Sequence, residues 1–228
     1  MSERLAVVRP DRPLYRVGRQ PDAWNWPDWA YAGPDGTFGN RWDDPAGIYR
    51  VLYACSQRVG AFVETLARFR PDLEVLAELA AIDGSDDDPA AGVVPRTWLN
   101  NRTSGQAAVD GSFADVGDAR SLAGLRVALA SRAIHYGLAD IDGATIRRSA
   151  PRRFTQEVSR FVYESNHMGT RLDGIRYLSR LGDKFVNWAI FEPPADAESP
   201  LKSTTSQAIE AGDPDLGEAL GILNLKLG

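Results

Sequence analysis

The chain has 228 residues, of which 43% are hydrophobic, so it can form one large domain or two small ones around a hydrophobic core. Its net charge of −5 argues against a dedicated nucleic-acid-binding protein. One cysteine excludes an internal disulfide, and one cysteine with two histidines cannot form a Cys/His structural zinc site. No stretch approaches about 18 apolar residues and no apolar signal core precedes residue 14, so we expect a cytoplasmic protein without a membrane span.

Two features stand out near the start of the chain. Residues 14–17 have the pattern of a short strand, which places Leu14 and Arg16 on one face and leaves open whether Arg16 is a site residue or a surface residue. Residues 24–31 contain four aromatic side chains in a Pro-containing loop. Such a loop can cap a pocket and stack on a flat ligand, or it can pin itself to the core.

Residues 38–69 are predicted to form a loop, a strand and a helix. The loop contains Arg41 and Trp42. On the helix, apolar residues recur every three or four positions, and Glu64 lies off that stripe. Small side chains surround Glu64 one turn away, so a ligand could approach its carboxylate closely. A solvated glutamate paired with Arg68 would give the same pattern.

The middle of the chain alternates between predicted elements without an internal repeat. These are a helix over 73–82, an acidic surface loop over 84–92, a strand over 93–99, a helix capped within 115–118 and ending at Gly137, and an extended piece over 138–146.

The last third is predicted to begin with a helix over 152–165, on which Thr155, Gln156 and Ser159 form a polar side. An Asp-Gly turn at 173–174 then leads into a strand with Tyr177 and Ser179 on one face. A further strand covers 187–191. A polar tail over 193–214 is interpreted as an excursion, and 220–227 as a last strand returning to the sheet.

Several common enzyme motifs are absent. The sequence has no GxxxxGK[ST] loop, no GxGxxG after a strand, no GxSxG and no HExxH. Neither histidine has an evident Ser or Cys partner, so we assign them no chemistry.

An ordered set of short motifs nevertheless resembles one family. They are LYRV at 14–17, NRW at 40–42, LYA at 52–54, AFVE at 61–64, FTQEVS at 154–159, DGIRYLS at 173–179 and NWAIF at 187–191. Their order and spacing resemble the RES domain, which is named for its Arg, Glu and Ser. The resemblance implies a single domain over residues 1–228 with an α+β fold, a compact mixed sheet with flanking helices similar to ADP-ribosyltransferase toxins.

The resemblance also implies an enzyme that consumes NAD by cleaving the nicotinamide N-glycosidic bond, through hydrolysis or phosphorolysis. NAD is then a substrate and inorganic phosphate a candidate co-substrate, with no further cofactor and no metal. The family implies a bacterial toxin that is neutralised by an Xre-type antitoxin protein and has no membrane or nucleic-acid partner. Whether the chain forms a homodimer is left open. A protein ADP-ribosyltransferase, or an inactive module that binds NAD or the antitoxin, is the alternative.

The residues that the resemblance carries over fall into two groups, catalytic and substrate-binding. They are Glu64, Ser179 and Arg16 in the first group and Arg41, Tyr53 and Asn187 in the second.

Bond cleavage passes through an oxocarbenium-like state, which a carboxylate such as Glu64 would stabilise. Arg16 or Arg41 could clamp the pyrophosphate, because the planar guanidinium binds two oxygens at once. Tyr53 could stack on nicotinamide, and the Ser179 hydroxyl could hold the nicotinamide end.

Overall fold

A computed structural model describes residues 5–82, 92–148 and 150–228. The acidic loop predicted over 84–92 therefore lies outside the described residues, except for Gly92. In the described part of the chain, no helix is long and apolar enough to cross a membrane.

The strands vary from two to eight residues. They are β1 (Val7–Val8), β2 (Leu14–Arg19), β3 (Val51–Cys55), β4 (Gly92–Val94), β5 (Arg102–Val109), β6 (Phe113–Asp115), β7 (Asn166–His167), β8 (Thr170–Arg171), β9 (Gly174–Leu178), β10 (Val186–Phe191), β11 (Leu201–Ala208) and β12 (Leu225–Leu227).

The helices lie between these strands, with short 3-10 turns at Trp29–Tyr31 and Ala67–Phe69. They are α1 (Arg58–Leu66), α2 (Leu73–Ile82), α3 (Thr97–Asn100), α4 (Ala119–Ala128), α5 (Ala130–His135), α6 (Gly143–Arg148), α7 (Arg152–Glu164) and α8 (Pro214–Leu223).

Eight strands form one mixed sheet in the order β1-β6-β9-β10-β3-β2-β5-β11. Most neighbours are antiparallel, while β6 and β9 are parallel. Helices flank the sheet, so the predicted α+β class with a compact mixed sheet is confirmed. The predicted strands over 14–17 and 187–191 and the predicted helices over 73–82 and 152–165 are also present, within one or two residues at most ends.

Helix α1 packs tightly against the sheet through its predicted apolar stripe. Phe62, Val63 and Leu66 are fully buried. Gly60 permits the close approach, since a Cβ at that position would lie only 2.4 Å from Cys55 Sγ. This packing brings Glu64, one turn further along the helix, to the edge of the strand that carries Cys55.

Four predictions for individual segments are wrong. The strand predicted over 93–99 ends at Val94, because Pro95 cannot donate to a strand ladder and α3 begins at Thr97. The piece predicted as extended over 138–146 includes the start of α6, where Asp142 accepts a hydrogen bond from Thr145 N at 2.7 Å.

The polar tail over 193–214 is also not an excursion. It contains β11, which pairs antiparallel with β5 along its length and forms one edge of the main sheet. Its exposed Ser and Thr side chains lower the hydropathy, although their β-propensity suits an edge strand. Residues 220–227 do not return to this sheet: Leu223 ends α8, and β12 pairs parallel with β4 in a separate two-stranded sheet.

Candidate active site

The Glu64 carboxylate lies at the surface and accepts a hydrogen bond from the side-chain amide of a buried asparagine. Asn187 Nδ2 donates a hydrogen bond to Glu64 Oε1 at 2.6 Å. Asn187 belongs to β10, is only 2% exposed, and faces Cys55 on β3 and Tyr177 on β9. In the described part of the chain Glu64 forms no ion pair with Arg68, and its carboxylate is bound by Asn187 instead.

The second polar atom of Asn187 has no partner. Its Oδ1 is buried and forms no hydrogen bond with any described residue. A buried acceptor without a partner costs about 1–3 kcal/mol. Asn187 therefore positions Glu64 with its amide N–H while its oxygen stays buried.

Arg41 lies on the other side of Tyr177 from the core. Its guanidinium packs over the Tyr177 ring at 5.2 Å and the Trp42 ring at 5.5 Å, and it donates to the Arg147 carbonyl. Burial lowers the pKa of Arg41, while the negative charge of Glu64 acts in the opposite direction. Arg41 and Glu64 thus lie close enough for their charges to interact.

Helix α7 fixes the loop that carries Arg41. Gln156 Nε2 donates to the Asn40 carbonyl at 3.1 Å, and Ser159 Oγ donates to the Trp42 carbonyl at 2.6 Å. Gln156 and Ser159 are 2% and 0% exposed, so the side of the helix expected to be merely polar is buried against this loop. The Gln and Ser of the FTQEVS motif therefore hold the loop that carries Arg41.

Asp43 and Tyr53 hold the same loop from the sheet. The Tyr53 hydroxyl donates to Asp43 Oδ1 at 3.2 Å and accepts from Trp42 N at 2.9 Å. Asp43 also accepts from the Phe38 and Asn40 backbone amides, although burial raises its pKa. The hydroxyl of Tyr53 is therefore engaged within the protein, and stacking of its ring on nicotinamide stays a prediction.

Ser179 follows β9 directly and lies on the same face as Tyr177, with 1% of its surface exposed. Its Oγ accepts a hydrogen bond from Leu181 N at 2.9 Å, which leaves the hydroxyl proton available for donation. The positive charge of the next residue, Arg180, lowers the pKa of Arg41. A contact of Ser179 with the substrate stays a prediction.

Arg16 lies at the gap between β2 and β3. Strands β2 and β3 pair only through Tyr15 and Cys55, and Arg16 bridges the gap by donating to the Ala23 and Tyr53 carbonyls, both at 2.7 Å. Burial lowers its pKa to about 10. Two of its donor groups are thus used by the backbone, and a direct role in catalysis stays a prediction.

The remaining candidates have simpler environments. Cys55 is buried, as expected, and burial raises the pKa of its thiol to about 11. In the aromatic loop Trp24 is 4% exposed and donates to the Thr205 carbonyl, whereas Trp29 and Tyr31 are exposed. Trp24 therefore pins the loop to the core, while its far end stays on the surface. No group of three or more His, Cys, Asp or Glu among the described residues could hold a metal ion.

Sequence reasoning missed four residues that build this site: Trp42, Asp43, Tyr177 and Arg180. The only available signal was their position inside or next to the NRW and DGIRYLS motifs.

The mixed sheet with flanking helices, one of which carries Glu64, defines an α+β protein. The family model described as the RES domain matches residues 13–209, and the chain belongs to this family. No curated protein sequence matches the chain. Among solved structures, the chain is similar to the M. tuberculosis MbcT-MbcA toxin-antitoxin complex, with 15% identity, a TM-score of 0.44, and coverage of 89% of this chain and 87% of that chain.

Proposed function

We propose that this RES-domain protein is an enzyme that cleaves the N-glycosidic bond between nicotinamide and ribose in NAD. The observation that carries the proposal is the exposed Glu64 carboxylate fixed by Asn187 within electrostatic range of Arg41. Cleavage of this bond places positive charge on the ribose, and a fixed carboxylate stabilises that charge more than it stabilises the neutral ribose of the substrate.

The other site residues have consistent roles in this reaction. Asn187 can keep the Glu64 carboxylate oriented toward the ribose through its amide N–H. The Ser179 hydroxyl can donate to the nicotinamide carbonyl or to the ribose. Arg41 can bind a phosphate oxygen, since Tyr177 and Trp42 fix the plane of its guanidinium.

The bond that breaks joins the ribose C1″ to the nicotinamide nitrogen, and the electron pair leaves with nicotinamide. The acceptor is water in hydrolysis and inorganic phosphate in phosphorolysis, and it attacks the ribose carbon. Glu64 can orient water and accept its proton, or can act by charge alone when phosphate attacks. We further propose, from family membership, that the protein is the toxin of a toxin-antitoxin pair and that an Xre-type protein restrains it in the cytoplasm.

The test is product analysis by mass after incubation of the purified protein with NAD, with and without phosphate. Nicotinamide with ADP-ribose indicates hydrolysis, and ADP-ribose 1″-phosphate that forms only with phosphate indicates phosphorolysis. Absence of both products would contradict the proposal and would redirect the search to a protein acceptor.

Glu64→Gln is the matched variant, because Gln keeps an oxygen for the Asn187 amide and removes the charge. We expect kcat to fall by about a hundredfold to a thousandfold, as for other electrostatic groups that act on the transition state. Glu74→Gln, at an exposed position on α2, is the control and should leave kcat unchanged.

A further inference from the structure

Three arginines lie near the last residue of β2 and the turn that follows α1. Arg19 on β2 is the direct cross-strand partner of Arg102 on β5. Cross-strand partners in an antiparallel pair project on the same face, and like charges at such positions destabilise a sheet. The sequence therefore maintains an unfavourable pair at this position.

This pair projects toward α1. Alternation along β2 places Arg19 on the same face as Val17, which packs in one core cluster with Phe62 and Val63 of α1. The third arginine, Arg68, lies in the turn that follows α1.

Arg68 follows Glu64 by four residues, so the two side chains occupy neighbouring positions on one helical surface. The positive charges of Arg19 and Arg68 both lower the pKa of Arg102, after the larger effect of burial. Arg19 and Arg68 therefore each lie close enough to Arg102 for their charges to repel it.

No described carboxylate neutralises this cluster. Arg19, Arg68 and Arg102 form no hydrogen bond and no ion pair with any described residue through their guanidiniums. Arg19 packs over the Tyr31 ring at 5.2 Å and Arg68 over the Phe69 ring at 5.7 Å, contacts that leave the N–H groups available.

Arg19 and Arg68 are exposed, but Arg102 is half-buried, and half-buried arginines elsewhere in this acidic protein have partners. Arg58 binds Asp213 and Asp215, while Arg50 binds Glu192. With 31 acidic residues against 26 basic ones, a shortage of carboxylates does not explain the difference.

We propose that Arg19, Arg68 and Arg102 form a phosphate-binding site at the end of β2, on the side of the sheet that α1 covers. The planar guanidinium fork matches two phosphate oxygens, and three of them around one anion convert the mutual repulsion into attraction. The phosphate has two sources: the pyrophosphate of the dinucleotide, or free inorganic phosphate that serves as the acceptor. The inference rests on the proposed function and deepens it by adding a second group of arginines that binds phosphate, besides Arg41.

Phosphate binding is tested first without turnover. Thermal unfolding of the full chain is measured in inorganic phosphate, in pyrophosphate and in chloride of equal ionic strength. We expect wild-type protein to be stabilised by phosphate or pyrophosphate beyond chloride, and Arg102→Gln to lose that additional stabilisation. Without phosphate, Arg102→Gln should unfold no earlier than wild type, because a repulsive pair has been relieved.

Two further variants make this result specific. Arg68→Gln changes an exposed side chain and should also lose the phosphate effect, so the test does not depend on the folding of one variant. Arg120→Gln, an 82% exposed arginine beside Asp118, is the matched control and should respond like wild type. Equal phosphate stabilisation of wild type and Arg102→Gln, or none in wild type, would overturn the proposal.

Kinetics then distinguish the two sources. If the cluster binds the pyrophosphate, Arg102→Gln should weaken NAD and ADP-ribose binding by about tenfold in phosphate-free buffer. If it binds the acceptor, NAD binding should stay the same while the concentration of phosphate needed for half-maximal rate rises by a similar factor. A protein that binds phosphate through the cluster but releases no nicotinamide would refute the proposed function alone. If Arg102→Gln still releases nicotinamide, with unchanged NAD binding and an unchanged phosphate concentration for half-maximal rate, the phosphate site is refuted and the proposed function is not.

Discussion

The substitution Asn187→Asp tests whether Asn187 orients the Glu64 carboxylate and keeps it ionised. The substitution keeps the side-chain shape but removes the N–H group that donates to Glu64 Oε1 at 2.6 Å. A hydrogen bond to a charged group contributes about 1.5–3 kcal/mol. If that bond is as strong in the transition state, kcat should fall by about tenfold to a hundredfold.

The same change adds a carboxyl group within hydrogen-bond distance of Glu64. Two carboxylates at this distance titrate as a coupled pair, and one of their apparent pKa values rises. Because the proposed mechanism needs Glu64 ionised, activity should recover as pH increases. The acidic limb of the pH–rate profile should therefore move upward by about one pH unit or more relative to wild type.

The assay is nicotinamide release between pH 4 and 9, with unfolding followed at each pH. Asn187→Ala separates the two effects, since it removes the hydrogen bond without adding a charge and should lower kcat without the upward shift. Asn166→Asp, at an exposed position on β7, is the control. An Asn187→Asp profile that matches wild type in both height and acidic limb would refute the role assigned to Asn187.

Three other predictions concern groups around the site. Arg41→Ala should raise the KM for NAD by about tenfold with a smaller effect on kcat, as steady-state kinetics would show; an unchanged KM would transfer the phosphate role to other arginines. Ser159→Ala should cost about 1–3 kcal/mol of unfolding free energy in urea and lower kcat/KM, because the Trp42 carbonyl loses its buried partner; unchanged values for both would contradict the support by α7. Asp213→Asn should destabilise the protein by about 1 kcal/mol at neutral pH. Its ion pair with Arg58 lowers the Asp213 pKa, so this contribution is present above pH 4 and is lost as pH falls further; denaturant titrations at pH 3 and 7 should therefore give a smaller difference at pH 3.

Sequence pattern was sufficient for elements with strong hydrophobic periodicity. The stripe on α1 predicted its buried face correctly because Phe62, Val63 and Leu66 alone determine which side meets the sheet. The sequence pattern did not predict β11, because an edge strand whose exposed side chains are Ser and Thr carries no alternation of apolar and polar residues. The sequence pattern also did not predict α8. Asp213 and Pro214 are a recognisable helix start, but the alternating Leu residues near the end of the chain were interpreted as a strand.

The site shows a similar division. Glu64 could be selected from its motif, but its partner depends on the register of β10 against β3 and β9, which no local pattern encodes. The roles of Gln156 and Ser159 were missed for a related reason. Polar residues on an amphipathic helix are usually solvated, and only tertiary packing shows that these two meet the backbone of a distant loop.

The geometry of the site therefore depends on two supports that are far apart in the chain. Glu64 is fixed by α1 and Asn187 on the sheet, whereas Arg41 belongs to a loop whose carbonyls are bound by α7 and whose amides are bound by Asp43. A loop held by buried and part-buried hydrogen bonds loses little conformational entropy when a ligand binds, so its guanidinium is already oriented in the unliganded protein. The conformational cost of assembling the site is thus met largely when the protein folds, and binding energy remains for the charge that develops on the ribose.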